Sequence, residues 1–559
     1  MAEPPAAAQA PPIASPAPPI AGPVLVAFLA ACAAISLWLQ TLAPTIAGGA
    51  GFFGGMLHVM VGIVVLLLCL VAARGSWGLP AIPPAALPWI AAALCLLTGA
   101  LAGSFWPNSG DEYSYAYLAD TLLAGRLHNP PVPDLALFRM FRVFALPNET
   151  ISQYPPGWPM LLAPFRALGL GWLANPALTA LLGLALLGGL RRLDVAPAQQ
   201  AAGLILTLLT PFVLFNGASM FSQTMSAALA AVIVWQQLAD EQRPSVPRRL
   251  LIGACFGALL LTRYEAFAIL AVLYALDRLW YRRARAFADA PSVLAGWLPF
   301  AAFCLYYDRA LTGDALLTPA AMTNPDMGFA FAFADPSALA GRALSHLAYW
   351  TGALGQFGGL AVLVLLLPAL RLRWRQRSLR FYDLALPATV IFFLYFPYDG
   401  GHQYGPRYWF FVWPLAGLSV TAALTRPDGR MRIVDGLVRF DGLVAANLLF
   451  CALMLPGLIL TTRLYLDARR EVLTTKVPVT PAIVLLPTRE LHVFPTQRIE
   501  LPADSMDFVR NDIDLHGPVL YGRLDAPDSL QRACRLPGGR AVLVWRGPDD
   551  LVRVACPKD

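Results

Sequence analysis

The chain has 559 residues, of which 57% are hydrophobic and only 13% are charged, and its mean hydropathy is +0.58. Soluble domains are about half apolar and about a quarter charged, so this composition excludes an ordinary water-soluble protein and favours a membrane protein. The net charge of +7 does not indicate nucleic-acid binding, because the cations lie in short clusters between apolar runs and form no basic face interleaved with aromatic residues.

The apolar runs predict an all-α polytopic membrane domain over residues 22–461, preceded by a disordered Ala/Pro-rich tail at 1–21. A membrane helix needs roughly 20 apolar residues, and we expect about eleven full spans. They are expected near 22–43, 54–73, 86–106, 172–190, 199–216, 222–239, 292–309, 347–370, 383–398, 407–425 and 440–461. The run 249–281 is interrupted by charged residues and predicts a broken helical hairpin.

The arginine clusters predict how the chain is oriented. When the spans alternate, the clusters within 191–192, 243–249, 278–285, 371–380 and 426–432 fall on one side. That side is cytoplasmic by the positive-inside rule, which indicates a multi-pass protein of the inner membrane. The segments that then face outward are 107–171, 310–346, 399–406 and the residues after about 462. Long outward segments rich in aromatic and charged residues are where function is expected.

The C-terminal residues 462–559 predict a small extracytoplasmic domain of α/β or β type. Runs such as GPVLYGRL and GRAVLVWRG are β-like and are bounded by Gly, Pro and Asp. Cys534 and Cys556 lie in this part, where an extracytoplasmic location permits a disulfide between them. No CxxC pattern indicates a metal site, and the carboxylates of the first outward loop form no DxD or HxxH pattern, so no metal ligand or cofactor is predicted, and dependence on a divalent cation stays open.

The first outward loop, 107–171, opens with an acidic pair. Asp111 and Glu112 follow a turn at 108–110 and begin a predicted helix. Acidic residues at a helix N-terminus are favourable in any loop helix, because the exposed N–H groups attract negative charge. Their position directly after a membrane helix, however, places them at the bilayer surface, where a lipid-linked substrate presents its phosphate. Tyr113 follows the pair and can stack on a sugar or hydrogen-bond to it.

The same loop ends with QYPPGWPMLLAPF, a proline turn that feeds a short helix. A carboxylate pair after an early membrane helix, a helix ending in AGRL and then YPPG-x-P-x-LL resemble the GT-C superfamily of glycosyltransferases. The nearest pattern is the branch of polyprenyl-phosphate-mannose protein mannosyltransferases and aminoarabinose transferases of lipid A. The resemblance extends over roughly residues 86–425. It implies a polyprenyl-phosphate sugar donor, Asp111 in the place of the catalytic acid, Glu112 as its neighbour, and Tyr154 in the H/Y-P-P element.

The chemistry of such a transfer requires a base and a cation. A base that takes the proton of an acceptor hydroxyl accelerates its attack on the anomeric carbon, and a single displacement inverts that centre. Either Asp111 or Glu112 is a candidate for the base, because two neighbouring carboxylates do not ionise equally easily. The leaving lipid phosphate departs as an anion and needs a cationic partner.

Arg407 is the first candidate for that partner. It lies in the outward turn YFPYDGGHQYGPRYWFFVWP, beside His402 and Tyr404, and GPRY resembles an element found late in many GT-C sequences. An arginine there can bind phosphate oxygens bidentately, although arginine and tyrosine also gather at membrane interfaces as simple anchors.

Arg263 and Glu265 are the second candidate, because they interrupt the apolar run LLLTRYEAFAIL. A charge at that depth is costly unless it is paired or lines a cavity. Substrate contact and structural pairing, with each other or with Asp308, are equally good interpretations. The remaining outward arginines could also touch substrate, but solvated loop charge is the favoured interpretation; they are Arg126, Arg139, Arg142 and Arg309.

Together these features predict an inverting glycosyltransferase that moves a hexose or pentose from a polyprenyl-phosphate donor to an envelope glycan, lipid or protein on the extracytoplasmic side. The alternative is a transporter or flippase of lipid-linked glycans, which would also be polytopic. Transporters are commonly built from repeated halves, and no internal repeat is evident here. A non-catalytic scaffold would leave Asp111, Glu112 and Arg407 without a role.

Overall fold

The computed structural model describes most of the chain after residue 81. The described residues are 82–103, 105–323, 340–344, 346–347, 350, 353–354, 357–394, 396, 404–425, 430–433, 436–494, 497–501 and 511–556. The predicted tail, the predicted spans at 22–43 and 54–73, and His402 lie outside these residues.

Helices dominate the described chain up to Arg469. In chain order they are α1 Leu87–Gly103, α2 Gly110–Leu123, α3 Leu135–Phe138, α4 Gly157–Ala167, α5 Ala174–Arg192, α6 Pro197–Leu208, α7 Pro211–Ala218, α8 Gln223–Gln242, α9 Val246–Leu260, α10 Tyr264–Arg282, α11 Ala284–Thr312, α12 Pro319–Thr323, α13 Leu360–Arg375, α14 Phe381–Leu394, α15 Trp413–Leu424 and α16 Phe440–Arg469. Short antiparallel hairpins interrupt them, formed by β1 Val143–Ala145 with β2 Thr150–Ser152 and by β3 Arg430–Ile433 with β4 Gly436–Arg439. The apolar faces of α1, α5, α8 and α15 share one continuous core.

Among the described residues, three helices are long and apolar enough to cross a membrane, within Gly171–Arg192, Arg285–Thr312 and Val444–Asp467. A fourth span results if α6 and α7, which meet at a bend of 64°, are counted as one. The expected count of about eleven spans is therefore not confirmed. Several predicted spans are apolar but short. The 17 residues of α1 extend about 25 Å, less than the roughly 30 Å of a bilayer core.

The break predicted within 249–281 is present between α9 and α10. It lies against the YPPG turn, because the Gly157 backbone N–H donates to the Leu261 carbonyl oxygen at 2.7 Å. A Cβ atom on residue 157 would lie 2.7 Å from the carbonyl carbon of Leu261, so this contact requires glycine. It places Arg263, the last residue of the break, beside the first loop.

A four-stranded sheet forms the centre of the C-terminal part. Its strands are β5 Ala482–Leu486, β8 Val519–Arg523, β9 Ala541–Gly547 and β10 Asp550–Arg553, in the order β10-β9-β5-β8. β5 is parallel to both of its neighbours, while β10 is antiparallel to β9. The remaining elements here are α17 Glu471–Thr474, a hairpin of β6 Arg489–Phe494 with β7 Gln497–Leu501, and α18 Ser529–Cys534. The α16 helix continues past position 462, where the sequence places the start of this domain.

The predicted disulfide between Cys534 and Cys556 is present and joins the end of α18 to the residues after β10.

The C-terminal sheet packs against the first loop. Leu137 and Phe138 of α3 are buried in one cluster with Ile483 and Leu520 of the sheet. Two ion pairs flank this contact: Arg126 with Asp514 at 2.9 Å, and Arg532 with Asp134 at 3.4 Å. The first loop and the C-terminal sheet therefore lie at the same end of the helices.

The other end of the helices carries an ionic cluster. It joins α8, α9, α10, α11 and the residue before α14 through the pairs Arg249–Asp240, Arg249–Asp289, Arg278–Asp289, Arg380–Asp277 and Arg380–Glu241. Its arginines belong to the clusters that the sequence assigns to the cytoplasmic side.

Candidate active site

The acidic pair sits at the N-terminus of α2, and a capping box fixes this end of the helix. The Ser109 hydroxyl accepts the backbone N–H of Glu112 at 3.3 Å. In return, the Glu112 carboxylate accepts the backbone N–H of Asn108 at 2.7 Å and the Ser109 hydroxyl at 3.3 Å. Such reciprocal bonds satisfy donors that the helix itself leaves free. They fix the direction in which the Glu112 carboxylate points.

Glu112 is held from a second side by segment 216–222, which comprises the last residues of α7 and the turn before α8. Its Oε1 accepts the Met220 backbone N–H at 2.8 Å, and the Asn175 side chain fixes the same segment by donating to the carbonyl oxygens of residues 219 and 221. Glu112 is only 1% exposed. Burial raises the pKa of its carboxyl group, although the N–H groups of Met220 and Asn108 favour the charged form. Glu112 therefore joins α2 to segment 216–222.

Asp111 is the accessible member of the pair, with a side chain that is 17% exposed. Its Oδ1 accepts the Tyr154 hydroxyl at 2.5 Å, and its Oδ2 accepts Nη2 of Arg407 at 2.7 Å. Burial alone would raise the pKa of Asp111. The charge of Arg407, the Tyr154 hydrogen bond and the charge of Arg142 outweigh burial and lower it below its ordinary value. Asp111 is therefore a carboxylate at neutral pH.

Arg407 contacts Asp111 although it lies 296 positions further along the chain. It begins the short 3₁₀ turn Arg407–Trp409, and its side chain is only 8% exposed. The guanidinium carbon lies 4.1 Å from the centre of the Phe221 ring, a favourable cation–π position. Within the part of the chain that the structure describes, the Nε of Arg407 has no hydrogen-bond acceptor. A buried guanidinium with an unused donor is suited to bind an anion.

Tyr154 is positioned by two tyrosines, one on α2 and one on α11. Its ring lies 4.4 Å from that of Tyr115 on α2. The Tyr115 hydroxyl is 3.0 Å from that of Ser222, next to α8. Tyr307 of α11 donates to the Tyr154 carbonyl oxygen at 3.2 Å. The predicted H/Y-P-P element therefore delivers its hydroxyl directly to Asp111.

Tyr404 and Tyr113 support the turn that precedes α2. The Asn108 amide donates to the Tyr404 hydroxyl at 3.0 Å, and the Tyr113 hydroxyl donates to the Pro107 carbonyl oxygen at 3.1 Å. Both tyrosines are buried. Tyr113, which the sequence suggested for sugar contact, is buried with its hydroxyl on this turn, and its contact with a sugar stays a prediction.

Arg263 and Glu265 form an ion pair with each other. The guanidinium carbon of Arg263 also lies 5.2 Å from the ring centre of Tyr408, the residue after Arg407. Asp308, the other partner considered from the sequence, accepts the Tyr264 hydroxyl at 3.4 Å. The Arg263–Glu265 pair therefore borders the site while Asp111 and Arg407 form its centre.

For Arg142 the sequence favours a solvated loop charge over substrate contact. Its side chain is 26% exposed, and its Nε lies 3.7 Å from Oδ1 of Asp111. Residue 142 has a positive φ of 65°, and its carbonyl oxygen accepts the Ser114 hydroxyl at 2.7 Å and the Gln153 N–H at 3.3 Å. These long-range bonds aim the side chain, and no local sequence signal predicts them.

A metal site with three or more His, Cys, Asp or Glu ligands is not found among the described residues.

Comparison with known proteins gives a structural similarity only. No protein-family model and no curated protein matches the chain. Two crystal structures of ArnT from Cupriavidus metallidurans resemble it, one in the apo state and one bound to undecaprenyl phosphate. Each match covers 81% of this chain and 92% of the ArnT chain, with a TM-score of 0.44 and sequence identities of 13% and 14%. The function proposed below rests on the residues around Asp111 and not on this similarity.

Proposed function

We propose that the protein is an inverting glycosyltransferase that transfers a sugar from a polyprenyl-phosphate donor to an envelope glycan, lipid or protein. One observation carries this proposal. The accessible carboxylate of Asp111 accepts hydrogen bonds from Arg407 and from the Tyr154 hydroxyl. Arginine is a residue type that commonly binds phosphate. Base and cation, the two groups that the reaction requires, therefore stand next to each other at one end of a set of membrane-type helices.

In the proposed reaction, the acceptor hydroxyl attacks the anomeric carbon and its proton passes to Asp111. The bond between that carbon and the phosphate oxygen breaks, and its electron pair stays on the phosphate. The sugar is thereby transferred with inversion, and polyprenyl phosphate is released. Asp111 suits the role of base because it is ionised and accessible, whereas both carboxylate oxygens of Glu112 are engaged by backbone N–H groups.

The leaving phosphate determines the role proposed for Arg407. The donor is a phosphodiester with one negative charge, and the released monoester carries up to two. A guanidinium in a water-poor site stabilises such a developing charge more than water does. The free Nε of Arg407 supports this assignment, since a bidentate contact to phosphate uses two N–H groups. Arg263 borders the site and is proposed as a secondary contact.

The site is proposed to face the extracytoplasmic side of the inner membrane. The ionic cluster, whose arginines the positive-inside rule assigns to the cytoplasm, lies at the other end of α8 from Asp111. The C-terminal sheet packs on the first loop at the Asp111 end, and the disulfide Cys534–Cys556 lies in the same C-terminal part. Disulfides persist in oxidising compartments, which supports the same orientation.

The proposal is tested by incubating the protein in sealed lipid vesicles with radiolabelled undecaprenyl-phosphate sugars, with bacterial membranes supplying acceptors. The expected result is release of undecaprenyl phosphate and transfer of label to an acceptor fraction. A transporter or flippase would move the donor between leaflets and leave it intact. Intact donor with every sugar tried would overturn the glycosyltransferase proposal.

A further inference from the structure

Two guanidinium groups converge on one carboxylate in this site. Arg407 donates to one oxygen of Asp111 at 2.7 Å, and Nε of Arg142 lies 3.7 Å from the other. Both arginines keep an unused donor, because the Nε atoms of Arg142 and Arg407 have no hydrogen-bond acceptor among the described residues. One negative charge does not satisfy two buried or half-buried cations, so the pair is suited to a second anion.

The arrangement also presents a conflict. A base works best when its proton affinity is high, yet Asp111 is held by the same cations that stabilise its ionised form. If Arg407 and Arg142 stayed on Asp111 throughout, they would weaken it as a base. If they belonged only to the phosphate, Asp111 would have no cationic partner before the donor arrives. An exchange of partners removes this conflict.

We propose that Arg142 and Arg407 form a shared clamp, which holds Asp111 before donor binding and moves to the donor phosphate when the donor binds. This inference rests on the glycosyltransferase function proposed above and adds Arg142 to it as a donor-binding residue. The exchange releases Asp111 to accept the acceptor proton only when a donor is present. It also supplies a second cation as the phosphate gains negative charge.

The two arginines differ in burial, and they are therefore expected to move differently during the exchange. Arg407 is almost fully buried and stacked on Phe221, so it needs only a small rotation to bind phosphate oxygens that lie beside Asp111. Arg142 is more exposed, and its guanidinium carbon lies 4.5 Å from the Phe141 ring centre. Its side chain can swing, whereas its backbone is fixed by the hydrogen bonds of Ser114 and Gln153.

The exchange predicts a result that simple catalysis by Asp111 does not. Removing the charge of Asp111 frees both arginines, so Asp111→Asn should tighten the binding of undecaprenyl phosphate by about tenfold, since close charge pairs couple by more than about 1.5 kcal/mol. Native mass spectrometry of the full-length protein in detergent, titrated with undecaprenyl phosphate, measures this affinity on folded molecules. Weaker binding to Asp111→Asn would overturn the proposal.

A double-mutant cycle separates the clamp from general charge repulsion. In an Arg142→Gln background, Asp111→Asn should increase the binding free energy of undecaprenyl phosphate by less than about half as much as in the wild-type background. The reason is that one of the two freed cations is missing. Arg142→Lys should retain part of the gain. The exposed Arg139 of the same loop provides the control, and Arg139→Gln should leave the full gain in place.

The remaining outcomes are also decisive. An undiminished gain in Arg142→Gln would exclude Arg142 from the clamp while leaving the glycosyltransferase proposal standing. Absence of undecaprenyl phosphate binding by the wild-type protein, folded in the same experiment, would overturn both proposals. The two failures are therefore distinguishable.

Discussion

The two clusters of charge at the ends of α8 use the same residue types in different ways. In the ionic cluster, Arg380 donates to Asp277 at 2.8 and 2.9 Å and to Glu241 at 3.1 and 2.5 Å, so every nitrogen of its guanidinium is engaged. In the candidate active site, Arg407 makes one hydrogen bond to Asp111 and leaves its Nε without an acceptor among the described residues. The helix of 20 residues between the two clusters separates them by about 30 Å.

The difference teaches how to tell a structural charge cluster from a functional one. Buried ions that are fully hydrogen-bonded have no capacity left for a ligand, and their removal destabilises the fold. Buried ions with unused donors destabilise the folded protein until a ligand accepts hydrogen bonds from those donors. The ionic cluster is therefore expected to control stability, and the Asp111 site to control binding and catalysis.

Removing the central cation of the site has the largest expected effect. Arg407→Gln should lower kcat/KM for the lipid donor by about 100-fold or more, because truncating one partner of a buried charged pair costs about 2–5 kcal/mol. The measurement is sugar transfer at varied donor concentration. Arg309→Gln, at an exposed arginine near the end of α11, provides the control and should transfer at the wild-type rate. Unchanged donor dependence in Arg407→Gln would exclude Arg407 from donor binding.

Substitution in the ionic cluster should lower stability and leave transfer unchanged, the reverse of the effect expected in the Asp111 site. Arg380→Gln leaves Asp277 and Glu241 without their main partner, and breaking a buried pair costs about 3–5 kcal/mol of unfolding free energy. Thermal unfolding in detergent should show a marked loss of stability, while transfer per folded molecule stays near wild type. Arg375→Gln, at the exposed end of α13, should change neither. Full stability of Arg380→Gln would contradict the structural role of this cluster.

Substitution of Glu112 is expected to lower both stability and transfer, each by a smaller amount. In Glu112→Gln, one acceptor oxygen facing a backbone N–H is replaced by a donor, which should cost about 1–3 kcal/mol of stability. Transfer should fall by about tenfold, since the orientation of Asp111 depends on the start of α2. Affinity for undecaprenyl phosphate, measured alongside, should persist. Loss of transfer as complete as in Asp111→Asn would make Glu112 the base instead.

The smallest expected effect is on pH dependence. In the wild type, the pKa of Asp111 lies below its ordinary value of 3.8, so acid should not reduce kcat/KM until below that pH. Arg142 favours the ionised form of Asp111, so Arg142→Gln should raise this pKa. The acidic limb of the kcat/KM profile should then move to higher pH. A limb that stays in place would show that Arg142 exerts no charge effect on Asp111.

Sequence patterns identified several of the residues that the structure places together. Asp111, Tyr154 and Arg407 were each predicted, but their contacts join residues 43 and 296 positions apart, and a single sequence does not show which side chains meet across such separations. The different surroundings of Asp111 and Glu112 depend on the Met220 backbone N–H, which lies 108 positions from Glu112. The Ser109-x-x-Glu112 capping box, in contrast, follows a local spacing, although it was not among the features predicted from the sequence.

The helices of the fold were also predictable in part from the sequence. Apolar runs located most helices of the described part, and the charged interruption at Arg263 located the break between α9 and α10. Composition did not reveal where an apolar run bends or ends early, as at α6 and α7. The sequence favoured a solvated loop charge at Arg142, whose place beside Asp111 depends on bonds from Ser114 and Gln153 to its carbonyl oxygen, and local sequence does not show these bonds.

The most direct test of the central claim compares wild type with Asp111→Asn in vesicles, by the rate of undecaprenyl phosphate release from a radiolabelled donor. Asp111→Asn should release it about 10²–10⁴ times more slowly, the usual contribution of a general base, with the protein folded and the lipid still bound. Equal rates in the two proteins would contradict the assignment of Asp111 as the base of a sugar transfer.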